Sequence, residues 1–85
     1  MKQITIDCAG ITNSAEFHQA IAAAMEFPDY YGKNLDALFD CLTELDRETH
    51  LILQNWDHDE AYACGFESVF TDAASENEGF TYTIL

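Results

Sequence analysis

Eighty-five residues suffice for one compact domain and are too few for two. Sixteen Asp and Glu against three Lys and Arg give a net charge of -13, which repels nucleic-acid phosphates and anionic membranes and attracts a basic partner instead. With 48% hydrophobic residues, among them six Phe, four Tyr and one Trp, the chain can bury a core and is not a disordered acidic tail.

Residues 2–7 alternate, with Ile4 and Ile6 on one face, and read as a strand. Ala9 and Gly10 turn the chain. Asn13 or Ser14 caps a helix running to about Glu26, and Glu16 stands where a capping box from Asn13 would place it. Phe17, Ala20, Ile21 and Ala24 recur at helical spacing as its buried stripe. Pro28 closes that helix, because the residue before a proline is pushed out of helical geometry. Residues 29–33 form a loop in which Gly32 is free to take positive φ. Asn34 caps a second helix, from Leu35 to about Leu45. Leu51, Ile52 and Leu53 suit a strand buried on both faces. Residues 57–63 read as a short helix broken at Gly65. Residues 67 to about 77 form another, with Val69, Phe70, Ala73 and Ala74 inward and Gly79 as its stop. Residues 81–85 are a last strand, with Tyr82 and Ile84 on one side. Strands separated by helices predict an α/β fold: three parallel strands with right-handed crossovers, covered by about four helices, in one domain spanning residues 1–85.

Cys8, Cys41 and Cys64 are odd in number and lack CxxC spacing, which disfavours a disulfide scaffold and a zinc site. They read as small hydrophobes of a reduced, cytoplasmic protein. The first ten residues lack the apolar run of a signal peptide, and no stretch approaches transmembrane length. Asp57-His58-Asp59-Glu60 looks like a metal cluster, yet neighbours on a helix diverge and no second ligand group accompanies them, so an acidic helix start is the better account. His18, His50 and Trp56 read as structural. No metal or cofactor is expected.

The second helix carries the strongest pattern. On a wheel of about 100° per residue, Leu35, Leu38, Cys41, Leu42 and Leu45 gather on one side and Asp36, Asp40, Thr43 and Glu44 on the other, with Phe39 at the border. Asp36 lies in the first turn, where the helix dipole favours a carboxylate, but Asp40 has no such support and repels Asp36 one turn away. Acids in a stripe beside Tyr30 and Tyr31 suit a docking face whose charges a partner's Arg, Lys or His⁺ would satisfy.

The run PDYYGKNLDALFDCLTEL resembles the central motif of the barstar family: proline, acid, Tyr-Tyr-Gly, any residue, Asn-Leu-Asp-Ala-Leu, aromatic, Asp-Cys-Leu-Thr. Phe17-His18-Gln19, Glu67-Ser68-Val69 and Thr83-Ile84-Leu85 resemble family segments in the first helix, the late helix and the final strand. The resemblance implies an intracellular inhibitor of a basic, secreted, barnase-like ribonuclease, forming a one-to-one complex in which loop and second helix enter the enzyme's active site. Asp40 would then stand in for the RNA phosphate and Asp36 would meet basic groups at the rim. Tyr30 would pack near the partner's catalytic histidine, with Gly32, Asn34, Leu35, Phe39 and Thr43 lining the contact. An outlying acidic contact falls on Asp72 through the Phe-x-acid-Ala pattern of residues 70–73, with Glu76 as the alternative. Phe39 and Leu45 replace Trp residues of the best-known member and Lys33 replaces an acid, changes that bear on partner choice.

Two other classes compete. The same fold could bind a basic partner that is not a ribonuclease. A carboxylate-based hydrolase using Asp36 and Asp40 as acid and base is the third, but no nucleophile or oxyanion site accompanies the pair. The expectation is a non-enzymatic inhibitor.

Overall fold

The computed structural model describes residues 2–85. Elements follow in the order β1 (Lys2–Asp7), α1 (Ser14–Met25), α2 (Leu35–Thr43), β2 (Thr49–Gln54), α3 (Ala63–Glu76) and β3 (Phe80–Ile84). The strands form one parallel sheet in the order β1-β2-β3. The architecture is α/β, with three helices among the described residues.

The fourth helix expected over residues 57–63 is a chain of turns. The Asp57 carboxylate accepts from the Asp59 N–H at 2.9 Å, and the N–H groups of Glu60 and Ala63 donate to the carbonyls of Asp57 and Glu60 at 3.3 and 3.0 Å. Aspartate offers the backbone such local bonds in place of helical ones. Nor is Gly65 a break. It lies inside α3, where a Cβ would stand 3.0 Å from Leu35 Cδ1. Glycine there forgoes about 1 kcal/mol of helix propensity and lets α2 and α3 close on each other.

Register puts Ile4, Leu51 and Tyr82 in one row and Ile6, Leu53 and Ile84 in the next, all on the helix-covered face. The opposite face carries Gln3, Thr5, His50, Ile52, Thr81 and Thr83, all exposed or half-buried. β2 is thus covered on one face, not both as its Leu-Ile-Leu run suggested. Alternation in β1 and β3 already favours a one-sided sheet, and His50 completes it by bonding the Thr81 and Thr83 hydroxyls at 2.6 and 2.9 Å.

The core is an aromatic cluster between α1, α3 and the sheet. Phe66 packs edge-on against Phe17 with ring centroids 4.5 Å apart, and Phe17 meets Trp56 at 5.1 Å. Phe17, Ile21, Leu38, Leu42, Leu51, Leu53 and Phe70 are wholly buried, each contributing about 1.5–3 kcal/mol by leaving water. No described helix is long and apolar enough to cross a membrane.

Candidate functional site

α1 is started by Asn13, whose side chain accepts from the Glu16 N–H at 2.8 Å, while the Glu16 carboxylate reaches back to the Thr12 N–H and hydroxyl. It ends at Glu26, which takes left-handed φ 57°, with the Phe27 N–H donating to the Ala22 carbonyl at 3.0 Å. The stop therefore precedes Pro28. The chain then turns, the Tyr31 N–H donating to the Pro28 carbonyl at 2.9 Å. This turn separates the two tyrosines. Tyr30 is 88% exposed and Tyr31 only 7%.

Gly32 was expected to supply the left-handed residue of this loop, but Lys33 does so, with φ 54°. Gly32 serves close approach instead: a Cβ there would lie 3.1 Å from Asn34 Nδ2 and 3.4 Å from the Ala37 methyl. That contact seats the loop on the start of α2, where Asn34 caps by accepting from the Ala37 N–H at 2.8 Å and donates to the Gly32 carbonyl at 3.3 Å.

Leu38 and Leu42 anchor α2 in the core, which turns Asp36, Asp40 and Glu44 outward, all exposed. Leu35 is not a core residue as the wheel had it. At 38% exposure it lies on the rim against Gly65. The far end of α2, which stops at Thr43, is tied to α3 by Asn77 Nδ2, donating to the Leu42 carbonyl at 3.0 Å.

Between the loop and α2 lies a cleft of about 480 Å³ walled by Phe27, Tyr30, Tyr31, Gly32, Asp40 and Glu44, with Glu26 also on it. Asp40 thus shares a cavity with Tyr30 and Gly32. Asn34 and Leu35 line a second depression, with Lys33, His18, Tyr62 and Phe66. Asp36 is exposed one turn before Asp40. Phe39 packs half-buried against the core, and the Thr43 hydroxyl donates within α2 to the carbonyls of Phe39 and Asp40. Asp72 lies apart, in a shallow hollow with His58, Cys64, Glu67 and Thr71. Glu76 is exposed at the end of α3.

Among the described residues the α2 carboxylates take part in no ion pair; Glu26 pairs with Lys2 at 3.6 Å, and the Glu67 carboxylate is hydrogen-bonded to the His58 imidazole at 2.9 Å. Asp36, Asp40 and Glu44 repel one another at intervals of four, a loss of a few tenths of a kcal/mol per pair. Cys41, on the same cleft, has its thiol pushed up by burial, then by Glu44 and Asp40, so it is a poor nucleophile. The cleft carries three carboxylates, Glu26, Asp40 and Glu44, and no Lys, Arg or His among its described lining residues. Glu44 already stands on the acidic stripe of the wheel, whereas Glu26, at the end of α1, joins Asp40 only in the folded chain. Among the described residues, no group of three His, Cys, Asp or Glu is arranged to hold a metal.

His18 is 4% exposed and bonds Tyr31 Oη through Nδ1 at 2.6 Å. Burial holds its pKa below the ordinary 6.5. Between the depressed folded value and the ordinary one, the unfolded chain therefore binds more protons than the native chain. This contribution to stability is complete above about pH 6.5, and it goes as pH falls through the depressed folded value. Urea midpoints at pH 7.5 and 5.5 should fall for the wild type and stay nearer level for His18→Gln; equal drops would exclude His18 as the cause.

A family model described as Barstar (barnase inhibitor) matches residues 1–85. A protein of Bacillus subtilis (strain 168) named "Putative ribonuclease inhibitor YrdF" is 43% identical over 58 residues. That alignment covers 67% of this chain and 64% of YrdF, so the chain spans a little under two thirds of this relative.

Proposed function

The chain belongs to the barstar family, and from that premise we propose that it is a non-enzymatic ribonuclease inhibitor acting in the cytoplasm. Its partner is a basic, barnase-like ribonuclease, bound one to one. The reading is carried by one observation: Asp40, exposed and without a cation partner among the described residues, lines a cleft beside an 88% exposed Tyr30.

A ribonuclease site is preorganised to hold a phosphate with cationic donors. Asp40 offers those donors a carboxylate already fixed on a capped, core-anchored helix, so little ordering is lost on binding. Tyr30 supplies apolar area at the edge, Asp36 meets rim cations, and Asn34, Leu35, Gly32, Phe39 and Thr43 shape the surrounding contact. Asp72 or Glu76 on α3 adds an outlying charge. The remaining acids draw a basic enzyme in from a distance.

The test is titration of the purified chain into a barnase-like ribonuclease from the source organism. Activity should fall to zero at one equivalent. Retention of full activity with excess chain, together with capture of a basic partner that is not a nuclease, would replace this reading with a binding module of other specificity. Raising salt from 50 to 500 mM should slow association by about tenfold or more. A rate independent of salt would remove the steering role.

A further inference from the structure

Beyond its own turn bond, the Tyr31 N–H to the Pro28 carbonyl at 2.9 Å, the loop that carries Tyr30 has two polar side-chain tethers among the described residues. One is local, Asn34 Nδ2 to the Gly32 carbonyl at 3.3 Å. The other crosses to α1: the Tyr31 hydroxyl against His18 Nδ1 at 2.6 Å. Around it, Tyr31 packs on Phe27 at 5.0 Å, and His18 stands edge-on to Phe66 at 4.8 Å. Tyr31 also walls the Asp40 cleft, while His18 lines the second depression, with Lys33 and Asn34. The His18–Tyr31 pair therefore links a wall of one hollow to a wall of the other.

We propose that His18 is a positioning residue for docking: by holding the Tyr31 hydroxyl it fixes the loop of residues 28–33 and sets where Tyr30 stands relative to Asp40. The inference rests on the inhibitor reading and adds to it a residue that touches no partner. Two features of the loop require such a pin. Lys33 has left-handed φ 54° without being glycine, a conformation that persists only where surrounding contacts over-determine it. Tyr30 makes almost no contact that could hold it. Without the pin, the docking conformation becomes one of several, and apparent affinity falls in proportion to its population. Both groups are buried, so losing either leaves the other unsatisfied, and opening of the loop to water relieves that state.

The experiment uses Tyr31→Phe, His18→Leu and His18→Gln, whose amide can still reach the hydroxyl. Amide hydrogen exchange of residues 29–33 reads the pin without any partner, and association with the titrated ribonuclease reads its consequence. Tyr31→Phe and His18→Leu should speed exchange in the loop relative to the sheet amides and weaken binding by about 3- to 10-fold, the worth of one such bond, mostly through slower association. His18→Gln should recover most of both. Unchanged loop exchange in folded Tyr31→Phe overturns the pin. Faster exchange with unchanged binding overturns its docking role, because a purely structural bond would lower the urea midpoint and leave association alone. Faster exchange in a chain whose wild type inhibits no ribonuclease brings down the inhibitor reading, leaving a pin that serves the fold alone.

Discussion

Asp40→Ala should weaken the complex with the inhibited ribonuclease by about 2–5 kcal/mol, seen chiefly as faster dissociation in a stopped-flow chase. The loss arises on both sides of the interface. Asp40 disappears, and the enzyme's phosphate-binding cations are left desolvated with nothing to neutralise them. The barnase–barstar complex is itself the reference case for such charge-pair losses, so the size is taken from the family, and the residue is what this chain specifies. The free protein should respond in the opposite sense. Alanine relieves repulsion with Asp36 and Glu44 at four-residue intervals and is the better helix former, which should raise stability by about 0.5–1 kcal/mol. A variant that unfolds later and inhibits worse separates docking from folding. Asp36→Ala is the control: at an exposed first turn outside the Asp40 cleft, it should act mainly on association, by about 1 kcal/mol or less. An Asp40→Ala loss below about 1 kcal/mol would show that another residue occupies the phosphate position.

Phe66→Ala should destabilise the fold by about 3–5 kcal/mol in urea denaturation. Phe66 is 1% exposed and its ring meets Phe17 at 4.5 Å, His18 at 4.8 Å, Tyr62 at 5.9 Å, and Trp56 and Phe70 at 6.4 Å. Truncation opens a cavity bordered by rigid rings, which cannot collapse into it as aliphatic chains could. A domain of this size holds roughly 5–10 kcal/mol in all, so a large part of its stability rests on one ring. A loss under about 2 kcal/mol would mean that the cluster rearranges around the gap. Where the variant remains folded, its binding should drop only by the fraction unfolded plus any loosening of His18, which Phe66 supports.

Much of this molecule is readable along the chain because it depends on neighbours three or four residues apart. Asn13 and Asn34 cap the helices they precede. The wheel separates Leu38 and Leu42 from Asp36 and Asp40 as the packed helix does. Alternation identifies β1 and β3. Misreadings occur where a local pattern admits two outcomes. Leu-Ile-Leu in β2 fits a strand covered once or twice, and the polar partners Thr81 and Thr83 decide for once. An acidic tetrad fits a helix start or a turn, and here the Asp57 carboxylate takes the Asp59 N–H and holds the chain in turns.

From its residues alone the protein determines its charge, its α/β order of elements and an acidic face on α2, since composition and short-range periodicity encode these. Tertiary packing decides which members of that face share a cavity. Only the folded chain separates buried Tyr31 from exposed Tyr30, moves Leu35 to the rim beside Gly65, brings Glu26 to the cleft of Asp40, and sets Asp72 apart. Each of these outcomes depends on where the backbone of one element lies against another. Contacts between residues far apart in sequence set that placement, and no pattern within a single segment records it.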